Sequence, residues 1–596
     1  MEPKLKKART AAVPDAAGGD IINRALTAPA SVKSYKEEYA NALPYPHVTF
    51  TPFCDELKFE GVRDEILTNL NVKYKETDLF KLYQTQDLAN IKRSSHPELA
   101  AKLPHLLALR DSLYSKEFRA FISSITGCPE LTERVDMAAS AYSNGCHLLA
   151  HDDVIGTRAV SFIIYFCAKD WSDSDGGALE LYPLEPSSIL VNPDSRLPQG
   201  VPNPNPSKSI LPKWNSMAIF NVEPGRSYHS VQEVTRDGSP RLSIQGWYHA
   251  PHPPKGAEMA SLNQLKSIAM AKNCESTQVG ASAPGGGVDD QADWELTEED
   301  MALLSAWVNP MYLQEKSMGD IEKRMQEDSN LELRSFLKAD VAERIREACA
   351  GAENCAGGIV QPKGWTLVGP AHVQRFLRCG AEQPVVAGKS AMSEATSLLK
   401  RLKSELFVTK AFRKLVHKLT GESRPSQNGF STEIRHFRRG RDYTVAHHGM
   451  LLKEGESVLD VTLCFVDDKS EETEDTAGAG GSSGTAEDEP QLNEKAAAWD
   501  YGENGGFDCY IAAEDEANEA AEVYDDSTAN DPNDDGGILL SVSPSFNTLS
   551  VALRDEGTMR FIKYVSKNAP SGRWDVATSF GVNYDEGDSD DDGSDT

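Results

Sequence analysis

Residues 144–168 read NGCHLLAHDDVIGTRAVSFIIYFCA, and the chain is organised around their centre, His151-Asp152-Asp153. The run that follows, Arg158–Ala168, is dense in β-branched and aromatic residues and predicts a buried strand. Further segments of the same kind lie at Ala178–Tyr182, Ser187–Val191, Ser216–Val222 and Arg241–Tyr248, each bounded by Gly, Pro, Asn or Asp. Loops rich in Pro, Asn and Gly separate them, notably 192–209 (NPDSRLPQGVPNPNPSKS). About eight short strands between Arg134 and Trp247 at this spacing predict a double-stranded β-helix, a two-sheet jelly roll.

His151 and Asp153 are joined downstream by His229, in Tyr228-His229-Ser230-Val231, and then by Arg241 twelve residues later. His-x-Asp, a distant His and a basic residue in the next strand form the ligand pattern of a non-haem iron site, in which two imidazoles and one carboxylate leave the opposite face open. His151-x-Asp153 alone is weak, because with 13 His and 91 acidic residues about two such triplets arise by chance. His147 and His151 also stand four apart, as a helical zinc pair would. The β-rich run that follows at once, and the lack of a Glu between them, exclude the helix. On an extended segment His151 and Asp153 share a face while Asp152 points away, so Asp153 is the expected ligand.

The segments HDDVIGTRAVSFIIYF, GGALELYPL, WNSMAIFNVEPGRSYHSVQEV and RLSIQGWYHAP resemble the catalytic domain of the Ofd/Tpa prolyl hydroxylases. Leu43–His47 (LPYPH) and Thr77–Tyr83 (TDLFKLY) fit that family's entry segment, and Trp307–Leu313 (WVNPMYL) fits the start of its second half. The similarity covers roughly residues 40–580. It implies two jelly rolls in tandem, the first catalytic and the second degenerate, in a mainly β chain with flanking helices (α+β). It implies Fe(II) on His151, Asp153 and His229, and 2-oxoglutarate with its remote carboxylate on Arg241 and Tyr165. Tyr142 is a further candidate contact, and Ser243, two residues beyond Arg241 on the same strand face, could add a hydroxyl. O2 and L-ascorbate as reductant complete the set. The implied reaction is prolyl 3-hydroxylation, or 3,4-dihydroxylation, of the decoding-centre protein of the small ribosomal subunit.

Charge is segregated along the 596 residues. The net charge is -30, yet residues 467–536 hold 23 acidic and two basic side chains, and 581–596 add seven acids and no base. The rest is close to neutral, which argues against a broad nucleic-acid-binding surface. Ten cysteines are scattered without a C-x-x-C, and no apolar run reaches the ~18 residues a membrane span needs. Free thiols in a reducing compartment are expected. The basic cluster Pro3–Arg9 (PKLKKAR) suggests nuclear import, so the expected location is nuclear and cytoplasmic.

These patterns divide the chain into a disordered basic tail (1–35), a catalytic jelly roll with N-terminal helices (36–254), a linker (255–295) and a helical segment with a second roll (296–584). Acidic disordered insertions fall around 467–502 and 513–536, and an acidic tail at 585–596. Phe80, Tyr83, Leu88 and Ile91, then Leu103 to Phe118, read as helical periodicity. The second roll is detected as a faint repeat: Asn547–Leu553 resembles Asn215–Phe220, and Gly505-Gly506 echoes Gly176-Gly177. A slide of 332 residues carries Arg241 onto Arg573 and His229 onto Phe561. Locally, Ala446-His447-His448-Gly449 matches Ala150–Asp153 with Gly449 in the carboxylate position. With two ligands lost, the second roll is not expected to bind iron.

Two other functions fit part of this pattern. An oxygen- or iron-responsive interaction protein, with a regulatory partner on the C-terminal domain and secondary turnover, fits the degenerate roll and the acidic segments equally well. Nucleic-acid demethylases share the triad but place a second Arg six residues after the first, where this chain has Trp247.

Overall fold

The computed structural model describes residues 21–256, 294–355, 362–380, 391–467, 504–512 and 538–583 together with Trp499. Residue 93 and the stretches 192–195, 422–423, 426–429, 448–450 and 453–454 are excepted. Most of the expected linker, most of both acidic insertions, the acidic tail and residues 1–20 lie outside the described residues. The chain forms two compact units, one holding the residues up to 268 and the other most of the remainder.

In the first unit an antiparallel sheet curls into a roll. Its strands are β1 (His47–Phe50), β2 (Lys73–Glu76), β3 (Phe80–Gln84), β4 (Met137–Tyr142), β5 (His147–His151), β6 (Arg158–Tyr165) and β7 (Leu179–Leu181). A separate hairpin, β8 (Leu190–Val191) and β9 (Pro198–Gln199), precedes β10 (Lys208–Ile210), β11 (Ser216–Asn221), β12 (His229–Val231) and β13 (Arg241–His249). The sheet order is β1-β11-β6-β13-β4-β3-β5-β12-β7-β10, with β2 attached to β3.

Alternation decides what each face does. Phe162 and Ile164 of β6, and Leu242 and Ile244 of β13, join a core built with the N-terminal helices. Tyr165 and Ile163 face inward with Tyr142, Leu179 and Leu181, and Arg241 and Ser243 belong to the same inward row of β13. The helix Lys116–Thr126 shows how the outer layer is made. Ser115 caps its start by accepting from the Phe118 N–H, and Gly127 ends it in the left-handed conformation at φ 67°. Phe118, Phe121, Ile122 and Ile125 form its buried stripe.

Three sequence expectations need correction. Residues 24–35, read as tail, form a 3-10 turn (Arg24–Thr27) and the start of a helix, Pro29–Asn41, that buries Leu26 and Tyr39. Phe80 and Tyr83 lie in β3 rather than a helix: three apart on a strand they point to opposite faces, both are half-buried, and the buried residue is the middle one, Leu82. Ser187–Val191 is mostly a turn, and its strand portion leaves Leu190 and Val191 exposed.

The second unit repeats the first. Its long sheet runs Asn330–Leu333, Thr548–Arg554, Val458–Phe465, Arg573–Asn583, Ser431–Phe437, Gln374–Cys379 and Trp365–Val368. A three-stranded sheet joins Ile538–Val542, Asp508–Ala512 and Thr558–Ile562. The repeat extends to single atoms. Asn215, at φ 55°, closes a side-chain pair with the Cys54 backbone N–H and C=O, and Asn547, at φ 51°, does the same with Leu337. Register also corrects the 332-residue slide. His229 pairs with Leu181 and Arg560 pairs with Tyr510, and the neighbouring Gly177 and Gly506 occupy equivalent turns. Arg560, not Phe561, therefore takes the place of His229. The flanking loops absorb a one-residue difference, and a one-residue slip reverses every side chain. Gly449 lies outside the described residues.

Candidate active site

β5 and β12 run side by side with His151 opposite His229, so the two imidazoles project from adjacent positions, ring centroids 4.2 Å apart. Each ring donates Nδ1–H to the carbonyl two residues back, His151 to Leu149 at 2.8 Å and His229 to Ser227 at 2.9 Å. His47 and His147 make the same local bond, so it is a habit of these strands rather than a signature. Its consequence here is specific: with Nδ1–H engaged, Nε2 of both rings is the nitrogen turned toward Asp153 and the one that would offer a lone pair to a metal.

Asp153 stands 3.3 Å from each Nε2, by Oδ1 to His151 and by Oδ2 to His229. It reaches this position differently from expectation. β5 ends at His151, and Asp153 is left-handed at φ 61°, so a turn rather than strand alternation aims its carboxylate. Asp152 does point elsewhere, accepting from the Gly225 and Val154 N–H groups. Burial alone would raise the Asp153 carboxyl, but the adjacent His229 and His151 imidazoles hold it well below the usual carboxylate range. His151 is correspondingly raised, its burial outweighed by Asp153. Among the described residues these three form the one cluster whose donor atoms all lie within 4.8 Å of one another. Two imidazoles and a carboxylate suit Fe(II) and leave one side open.

Beside this cluster Arg241 is buried to 1 % exposure. Its Nε donates to the Gly177 carbonyl at 2.6 Å and one terminal nitrogen donates to Ser243 Oγ at 3.2 Å. Gly177 is required twice over: it sits at φ 70°, and a Cβ there would meet the Arg241 Cδ at 2.7 Å. Tyr142 is the cross-strand partner of Arg241, and Tyr165 that of Ser243, so both rings flank the guanidinium at about 5 Å. Tyr142 Oη, Tyr165 Oη and the second terminal nitrogen of Arg241 are buried without a hydrogen-bond partner. Burial pushes the Tyr142 hydroxyl up to about 12 and raises that of Tyr165 despite Arg241, so both remain protonated donors. Three buried donors, the guanidinium and the hydroxyls of the two rings flanking it, thus lack acceptors, and leaving each unpaired costs about 1–3 kcal/mol. A carboxylate placed among them would satisfy all three, with charge-assisted bonds contributing about 1.5–3 kcal/mol.

All seven residues singled out from sequence thus gather in one roll, with Ser243 bracing Arg241. Two residues were missed as site components. Ser161 Oγ donates to Asp153 Oδ2 at 2.6 Å, and Trp247 Nε1–H donates to the same oxygen at 3.0 Å. Trp247 had registered only as the absence of an Arg. Membership of the inward rows of β6 and β13 was the available signal.

Residues 137–249 match the 2OG-Fe(II) oxygenase superfamily, and 299–588 match a domain described as oxoglutarate and iron-dependent oxygenase degradation C-term. The chain is 35 % identical to the prolyl 3,4-dihydroxylase OGFOD1 of Ostreococcus tauri, over 91 % of this chain and 95 % of that protein. It is 29 % identical to the prolyl 3-hydroxylase OGFOD1 of Xenopus laevis, over 90 % and 88 %. With the prolyl 3-hydroxylase sudestada1 of Drosophila melanogaster the identity is 25 %, over 85 % and 77 %.

Proposed function

We propose, from the premise that this chain belongs to the OGFOD1 family of prolyl hydroxylases, that it hydroxylates C3 of a proline in the decoding-centre protein of the small ribosomal subunit. The enzyme is a dioxygenase that uses Fe(II), 2-oxoglutarate and O2. The observation that carries the site assignment is the His151-Asp153-His229 cluster beside a buried Arg241 with unsatisfied donors around it. The activities of the relatives supply proline as the target residue; a second hydroxyl at C4 is the alternative outcome.

In this reading His151 Nε2, Asp153 and His229 Nε2 hold the metal. Arg241, Tyr165 and Tyr142 hold the remote carboxylate of 2-oxoglutarate, and Ser243 fixes the Arg241 rotamer. When bound, Fe(II) and 2-oxoglutarate together activate O2, with release of succinate and CO2 and insertion of one oxygen atom into an unactivated C–H bond. The protein's share is placement. The Nδ1–H bonds fix both imidazole tautomers, the left-handed turn aims the carboxylate, and the apolar lining of Leu179, Leu181 and Ile163 keeps water from the reacting centre. L-ascorbate serves as reductant, and the enzyme works in nucleus and cytoplasm. The second roll serves as a docking module for the protein substrate or a regulatory partner, a role supported by its retained architecture and altered polar interior.

The direct test is mass spectrometry of the ribosomal protein from cells with and without this gene. A proline-containing peptide 16 Da heavier only when the gene is present is expected. Identical spectra would remove the ribosomal substrate while leaving the dioxygenase in place.

A further inference from the structure

Trp247 and Ser161 lie on neighbouring strands, paired across β13 and β6, and both donate to one oxygen of one carboxylate. Asp153 needs such help, because it stands beyond the end of β5 on a left-handed backbone and no ladder fixes its side chain. With both donors on Oδ2, Oδ1 has neither of them and faces His151 Nε2. Trp247 is itself gripped. The Arg158 guanidinium lies 3.5 Å over its ring, Arg158 pairs with Asp136, and His249 bonds Asp136 at 3.1 Å. A cation over the indole face anchors the ring and draws electron density from it, which makes its N–H a stronger donor.

The second roll supplies an independent comparison. By register its Asp460 and Ser579 are cross-strand partners at the places of Ser161 and Trp247. Ser579 Oγ donates to Asp460 there at 2.6 Å. Where the neighbouring imidazole position holds Arg560, these two positions satisfy one another instead of holding a third residue's carboxylate.

We infer that Trp247 and Ser161 are positioning residues that set metal affinity by holding Asp153 through Oδ2. This rests on the reading of His151, Asp153 and His229 as the metal site, and the test separates the two. Full-length protein is stripped with chelator and titrated with Mn(II), free Mn(II) being followed by electron paramagnetic resonance, for wild type, Asp153→Ala, Trp247→Phe and Ser161→Ala. Trp247→Phe keeps a ring beneath Arg158 and removes only the donor. The expected result is loss of the tight site in Asp153→Ala and affinity weakened about 10–100-fold in Trp247→Phe and Ser161→Ala, the range found for outer partners of metal ligands. Wild-type Mn(II) affinity in Asp153→Ala overturns the metal reading itself. Loss in Asp153→Ala with wild-type affinity in the other two overturns the positioning roles alone, as does a lowered melting temperature with unchanged Mn(II) affinity. Should Trp247→Phe fail to fold, Ser161→Ala decides by the same criterion.

Discussion

Both rolls bury an arginine at the same register position, and they satisfy it in opposite ways. Arg241 and Arg573 each donate to a glycine carbonyl at 2.6 Å, from Gly177 and Gly506, both in left-handed turns. Around Arg241 the neighbours are Tyr142, Tyr165 and Ser243, none of them an acid, and a terminal nitrogen is left over. Around Arg573 the position of Ser243 holds Asp575, paired at 3.0 Å, and that of Leu179 holds Asp508, paired at 2.5 Å. Asp508 also pairs with Arg560, which replaces His229 and reaches Asp460 at 3.3 Å. The second roll carries its own carboxylates where the first leaves donors waiting. A guanidinium buried with acids is a closed structural unit; the same group buried with unsatisfied hydroxyls is an anion site.

The two rolls differ most at the triad. His151→Ala or Asp153→Ala should abolish 2-oxoglutarate-dependent succinate formation while leaving both rolls folded; full activity in either would sink the assignment. Arg241→Ala should raise the 2-oxoglutarate concentration needed for half-maximal rate about tenfold or more, the equivalent of a charge-assisted pair of about 1.5–3 kcal/mol. Arg241→Lys should recover only part of this, because Lys lacks the fork. An unchanged 2-oxoglutarate dependence would move the carboxylate elsewhere.

Arg573 should fail differently. Asp508→Ala removes the carboxylate that Arg573 and Arg560 share and leaves each with a single acid, Asp575 and Asp460, so it should destabilise the second roll by about 3–5 kcal/mol. In calorimetry one unfolding transition should move and the other stay. If both stay, the ion network carries no weight. The smallest effect is in pH. Asp508 and Asp460 are buried, which would raise them, but Arg573 and Arg560 for the first and Arg560 and Arg554 for the second hold both carboxyls below their ordinary values. A depressed folded-state value means that the stabilisation is complete above the unfolded-state value, about 3.9. It is lost as pH falls from there through the folded-state values. The second transition should therefore be flat from pH 7 to about 5 and fall below about 4. A decline already under way at pH 6 would contradict the pairing.

Much of this was legible in the sequence for a physical reason. Strands β6, β11 and β13 announce themselves because buried strands need β-branched and aromatic residues, and the triad because metal ligands are drawn from few residue types. What was hidden depends on backbone conformation. The aim of Asp153 comes from a positive φ that no residue type specifies, and strand alternation gave the right residue for the wrong reason. The Asp153 donors were hidden because Ser and Trp are ordinary strand residues until register brings Ser161 opposite Trp247. Register also hid Arg560: the repeat was detected, but a one-residue difference in the loops put Phe561 in its place.

On this reading one roll binds metal and 2-oxoglutarate and the other does not. Isothermal titration of the full chain, with Mn(II) and then 2-oxoglutarate under nitrogen, tests it most directly. One Mn(II) and one 2-oxoglutarate per chain are expected, both lost in the double variant His151→Ala with Arg241→Ala. Two of either per chain, or one that survives that variant, would contradict it.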